Sequence, residues 1–258
     1  MLIDSHCHLN YPGLVEDETG VLDRARARGV GGFLNISTRK SEWSQVVRAA
    51  ERHRDVWAAI GVHPHEADAH PDLGAAALVE AAAHPRVVAI GECGLDYYYD
   101  KSDRAAQRDR FRAHLIAARE TGLPVVIHTR DAEEDTIAIM TEAVEQGGIS
   151  GVLHCFTGTA WLAEKGLELG FLISLSGIVT FKNAKDLQEI AKTIPSDRLL
   201  VETDAPFLAP VPNRGKTCEP AFVADTAAFV AELRGETVQE LADRTTANFR
   251  RLFPKAFA

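Results

Sequence analysis

Short apolar runs recur along the chain, and each is separated from the next by a longer segment whose apolar positions fall at helical spacing. The runs are LIDSHCH, GVGGFLNIS, VWAAIGVHP, VVAIGECGLD, PVVIHTR, GVLHCF, GFLISLSGIV and LLVETDAPFL. The segment DRAAQRDRFRAHLIAARETG shows the complementary pattern, with Phe111, Leu115 and Ala118 on one helical face and Gly122 as a stop signal. PAFVADTAAFVAELRG and TVQELADRTTANFRRLF read as closing helices. Eight such units in 258 residues predict an α/β fold of the (β/α)8 TIM-barrel type rather than an open doubly wound sheet. No linker, low-complexity tract or charge block divides the chain, so one domain over residues 1–258 is expected. The second run is the weakest, because glycines dilute its strand pattern.

A barrel of this kind carries its chemistry at the C-terminal ends of its strands. The unusual polar residues fall there. His6 and His8 close the first run, His63 and His65 the third, Glu92 lies late in the fourth, His128 closes the fifth, His154 the sixth, and Glu202 and Asp204 the eighth. His53, His70, His84 and His114 sit in helical or loop segments with no such pattern, which points to solvated or structural roles.

In a strand, side chains alternate between faces, so His6 and His8 point the same way and Cys7 the other. Two imidazoles converging on one point is what a divalent transition metal asks of nitrogen ligands. Glu92 sits among apolar neighbours, where an unpaired carboxylate is costly, so pairing or metal binding is required. Four histidines and two carboxylates exceed one tetrahedral ion and suit two. The geometric expectation is that Glu92 bridges two divalent ions, with His6, His8 and Asp204 on one and His128 and His154 on the other. Mixed nitrogen and oxygen ligands admit zinc, magnesium or manganese.

The four cysteines are scattered, which suits reduced thiols and offers no CxxC metal spacing. Alternation turns the sulfurs of Cys7, Cys93 and Cys155 away from the ligand face toward the outer helices. No apolar stretch has membrane-span length, and the start lacks a basic segment followed by an apolar signal core, so a cytoplasmic protein is expected. A net charge of −9 argues against wrapping nucleic acid with a broad basic surface. It leaves room for a phosphate substrate in a recessed site whose cations supply the local positive charge.

Two metals in an open pocket favour hydrolysis of a phosphodiester: they generate hydroxide near neutral pH, polarise the phosphoryl oxygen and stabilise the leaving oxygen. Asp204 is placed to act as general base, and Glu202, two residues earlier, to orient the water or a ligand. His63 and His65 are expected to contact a substrate phosphate, and Arg130, Arg214 and Lys216 are the basic candidates at the mouth.

The ordered motifs DSHCHL, GVHPH, GECGLDYY, HTRDA, GVLHCFTG, SGIVTFKNA and ETDAPFLAP resemble those of the TatD family of metal-dependent hydrolases and deoxyribonucleases. The resemblance covers nearly the whole chain. It implies a TIM barrel related to the amidohydrolases, with His6, His8, Glu92, His128, His154 and Asp204 as metal ligands. It also implies DNA as substrate, cut from the 3′ end, with single-stranded or frayed ends the expected form. One departure is Cys218 in VPNRGKTCEPAFV, where the family usually has asparagine. A thiol hydrogen-bonds far more weakly than an amide, so any role of this loop that needs the amide is in question. Two alternatives use the same barrel. One is an ester- or amide-cleaving enzyme, such as a D-aminoacyl-tRNA deacylase, and the other is a binding module that has lost catalysis and would lack a ligand.

Overall fold

The computed structural model describes residues Met1–Ala258. Eight parallel strands pair in chain order: β1 (Leu2–Cys7), β2 (Val30–Ile36), β3 (Val56–Ile60), β4 (Val87–Asp96), β5 (Val125–Arg130), β6 (Gly151–Leu153), β7 (Leu172–Leu175) and β8 (Leu199–Val201). The ring is closed by a parallel bridge between Cys7 and Ala205, where His8 N donates to Ala205 O at 2.8 Å and Asp204 N to His6 O at 2.9 Å. This is a (β/α)8 barrel, as the alternation of runs predicts. The helices are α1 (Glu18–Ala27), α2 (Trp43–Arg52), α3 (Ala75–Ala82), α4 (Arg104–Thr121), α5 (Glu133–Glu145), α6 (Ala160–Glu168), α7 (Lys185–Thr193), α8 (Val223–Arg234) and α9 (Val238–Leu252). Gly122 ends α4 in the left-handed conformation at φ 68°, and the Asp103 carboxylate caps its first turn. A Thr237/Glu240 capping box starts α9. No helix is long and apolar enough to cross a membrane.

The weak second run forms a full strand. Its glycines have a packing reason: a Cβ on Gly32 would lie 2.7 Å from the Trp57 ring, so the missing side chain lets that indole lie against β2.

Two apolar layers follow from strand alternation. The larger cluster fills the space between strands and helices and includes Cys7 and Cys93. The smaller lines the inside of the barrel, with Ile3, Leu34, Ala59, Val88, Val126, Val152, Leu172 and Leu200 taking one residue or more from every strand. Phe249 and Phe253 pack against it and stop the N-terminal end. The same inward rows turn polar toward the opposite end, two residues on: Val126 leads to His128, Val152 to His154, Leu172 to Ser174 and Leu200 to Glu202. A dry floor and a polar mouth thus come from one alternating pattern.

Several strands are shorter than their runs, β7 ending at Leu175 and β1 at Cys7, one residue before His8. His63, His65, His154, Glu202 and Asp204 lie just past the ends of β3, β6 and β8, where the backbone leaves the ladder. Asp204 (φ 59°) and Cys155 (φ 43°) adopt left-handed conformations there. Simple alternation therefore does not govern Cys155, which is half-buried with Sγ 3.2 Å from Ser176 Oγ. Cys7 and Cys93 are buried in the outer layer.

Candidate metal centre

Irregular register in β1 shapes the first part of the site, since its pairing with β2 shifts between Asp4 and Cys7. His6 and His8 are both buried, and their Nε2 atoms converge to 3.2 Å. His6 Nε2 lies 3.4 Å from Glu92 Oε2 and 3.6 Å from Asp204 Oδ1. His8 Nε2 lies 3.9 Å from Glu92 Oε2 and 3.4 Å from Asp204 Oδ1. Donor atoms at 2.0–2.2 Å from a common tetrahedral ion stand about 3.3–3.6 Å apart, so these spacings match a site for one cation.

The other oxygen of Glu92 faces a second group. Oε1 lies 2.8 Å from His154 Nε2 and 3.4 Å from both His128 Nδ1 and His63 Nε2. The Glu92 carboxylate is buried between the two sets, with only 4% of its side chain exposed. Burial pushes its pKa up, but the surrounding imidazoles, His154 and His63 foremost, outweigh this and hold it well below the usual carboxylate range. At His154 burial favours the neutral ring. Glu92 and Glu202 more than offset it, and the two carboxylates that favour a proton there also favour a metal cation. At Asp204, too, burial is outweighed, by the His8 hydrogen bond and the His6 charge, and its carboxyl is held low.

Hydrogen bonds behind the histidines decide which nitrogen is offered forward. His8 Nδ1 lies 2.9 Å from Ile36 O and so carries the proton, leaving the Nε2 lone pair for the centre. His154 Nδ1 lies 3.2 Å from Glu202 Oε1, which again frees Nε2. His128 Nε2 is 3.1 Å from Asp96 Oδ2, which frees Nδ1. His63 is wired the other way. Its Nδ1 accepts from His65 N at 3.0 Å, so the proton sits on Nε2, which faces Glu92 as a donor. Burial keeps this ring neutral, well below the ordinary histidine range.

Glu202, expected to orient water or a ligand, is fully buried, and Oε1 also accepts from Cys155 N at 2.7 Å. Its contact is therefore with the ligand candidate His154. His65 does not present a free imidazole, because its Nε2 is 2.8 Å from Asp96 Oδ2. Arg130 lies over the Tyr98 ring at 3.9 Å and Arg214 over the Phe181 ring at 3.9 Å. Lys216 is exposed and bonds Asn213 Oδ1 at 3.2 Å. Cys218 is buried in the outer core, with burial raising its thiol pKa, and the neighbouring Glu219 pairs with Arg24 at 2.8 Å.

Two buried carboxylates went unread in the sequence. Asp96 holds His65 and His128 through Oδ2. Asp4 accepts from Thr203 N at 2.9 Å and Thr203 Oγ1 at 2.6 Å and so anchors the residue before Asp204; burial pushes its pKa up to about 8. The signal for both was the one that singled out Glu92, an acidic residue inside a buried strand.

The model of the TatD related DNase family matches residues 3–254. The metal-dependent hydrolase YcfH of Escherichia coli K12 is 46% identical over 98% of this chain and 95% of its own. The 3′-5′ ssDNA/RNA exonuclease TatD of Erwinia tasmaniensis is 40% identical over 98% of this chain and 99% of its own. The crystal structure of the TatD homologue YJJV of Escherichia coli K12 superposes with a TM-score of 0.92 at 30% identity, covering 98% of both chains. With likeness running from end to end, and buried histidine and glutamate groups able to hold metal at the barrel mouth, the chain belongs to the TatD family and is a metal-dependent hydrolase.

Proposed function

We propose that this chain is a two-metal deoxyribonuclease that removes nucleotides from single-stranded or frayed 3′ ends. The observation that carries the reading is Glu92, whose Oε2 faces His6 and His8 and whose Oε1 faces His128 and His154. Support for the substrate class comes from the Erwinia tasmaniensis relative, named for single-stranded DNA and RNA exonuclease activity.

His6, His8, Asp204 and Glu92 Oε2 would hold one divalent ion, and His128, His154 and Glu92 Oε1 the other. When bound, the ions supply Lewis-acid charge that makes water nucleophilic near neutral pH and stabilises the leaving oxygen. Asp204 stays ionised and accepts the proton of the attacking water. Its side chain, 16% exposed, reaches solvent at the mouth. His63 would contact a substrate phosphate through Nε2–H, the donor that faces Glu92 Oε1 at 3.4 Å without substrate, because its other nitrogen accepts from His65 N. Glu202 and Asp96 act through His154 and His128, fixing tautomer and ring orientation.

The test is turnover of metal-loaded protein on 3′-labelled single strands, blunt duplex, closed circular DNA, RNA and a D-aminoacyl ester. Expected is stepwise shortening of single strands from the 3′ end, no attack on closed circles, and loss of activity in Glu92→Ala. Turnover of the ester with no cleavage of any nucleic acid would overturn the reading in favour of the deacylase.

A further inference from the structure

We propose that Phe207 on one side of the mouth and the Tyr98–Tyr99 pair on the other are base-stacking platforms that grip a single strand across Glu92. This inference rests on the nuclease reading. Three large aromatic rings at the rim stand in water, with Tyr98 57%, Tyr99 50% and Phe207 50% exposed. Nearby aromatics are committed to the protein: Tyr11 lies on His8 at 4.8 Å with its hydroxyl 2.5 Å from Thr38 Oγ1, and the Tyr97 hydroxyl donates to Asp135 at 2.5 Å.

Both exposed surfaces are anchored to the centre. The N–H groups of Tyr98 and Tyr99 donate to Asp96 Oδ1 at 3.1 and 2.9 Å, and the other oxygen of that carboxylate holds His128 at 3.1 Å. The Arg130 guanidinium lies 3.9 Å from the Tyr98 centroid and brings a cation to the same rim. Across the mouth, Phe207 N donates to Asp204 O at 2.9 Å, and its ring stands edge-on to His8 at 6.4 Å. An aromatic surface thus adjoins each of the two histidine groups around Glu92. A net charge of −9 weighs against an extended track of phosphate contacts. Stacking supplies the grip instead. It needs only the π-face that every base has, and so tolerates any sequence.

The experiment measures KM and kcat of the metal-loaded protein on a single-stranded oligonucleotide and on the same strand with abasic 3′-terminal positions. Phe207→Ala and the double variant Tyr98→Ala/Tyr99→Ala should each raise KM on the ordinary strand roughly 5- to 150-fold. On the abasic strand each variant should match the unaltered protein, and Phe207→Trp and Tyr99→Phe should restore KM on the ordinary strand. Unchanged KM on the ordinary strand, or an equal rise on both strands, overturns the platforms while leaving the nuclease reading standing. If the unaltered protein turns over neither strand, the nuclease reading falls and the platforms with it.

Discussion

Acid should loosen the segment that carries His63, through a buried histidine on α4. His114 on α4 is fully buried; its Nδ1 donates to Arg110 O at 2.7 Å and its Nε2 accepts from Val62 N at 2.9 Å. Burial pushes its pKa down from 6.5 to about 4. Between those values the unfolded chain binds a proton that the native chain refuses, so stability rises with pH across that window. The contribution is complete above about pH 6.5 and is lost as pH falls toward 4; at about 1.4 kcal/mol per pH unit it amounts to about 3 kcal/mol. Protonation of Nε2 also removes the acceptor of Val62 N, next to His63. Urea unfolding of the metal-stripped protein and of His114→Phe, followed from pH 7.5 to 4, isolates this group because other titrations cancel in the difference. At pH 7.5 the variant should be less stable by about 1–3 kcal/mol, the cost of the unpaired Val62 N–H. That deficit should shrink or reverse by about 3 kcal/mol at pH 4. A deficit that stays constant with pH would refute the assignment of a neutral, buried His114.

Chelation should abolish hydrolysis, and turnover by protein shown by elemental analysis to be metal-free would defeat the metal-centred mechanism. Glu92→Ala should lose activity and lower the metal content per chain; two ions still tightly bound would mean that Glu92 does not bridge them. Asp204→Asn keeps the shape and removes the base, so turnover should fall roughly 10²-fold or more while DNA binding persists; near-normal turnover would move the proton to another acceptor. Binding of single strands in a metal that does not support cleavage should show a shallow salt dependence, with a slope of about −1 to −3 in log affinity against log salt. A steep slope that grows with strand length would place recognition on an extended surface instead.

The barrel was legible because alternation writes itself twice, once as apolar inward rows and again as the polar residues two positions further on, as in Val126 and His128. The histidines and Glu92 could be collected from their places at the ends of these runs. Their protonation could not. Which nitrogen His154 offers depends on Glu202, and which one His128 offers depends on Asp96, partners remote in the chain. The strand pattern marks Asp96 and Asp4 as buried acids, as it does Glu92, but does not reveal that His65, His128 and Thr203 will approach them. His65, read as free for phosphate, is bound by that same Asp96. Cys155 escaped the alternation rule because β6 ends at Leu153 and the backbone turns left-handed two residues later.

The stopper of the barrel has a consequence in time. Phe249 and Phe253 on and just after α9 seal the inner apolar layer, and Thr246 Oγ1 donates to Met1 O, tying α9 to the residue before β1. Until α9 docks, the N-terminal end of the inner layer stays uncovered. Ring closure itself needs only β1 and β8, which meet through Cys7 and Ala205, so α9 seals the bore of a ring already closed. β1 and α9, far apart in sequence, must come together before that layer is sealed, and a variant cut before residue 249 should leave an apolar bore open to aggregation.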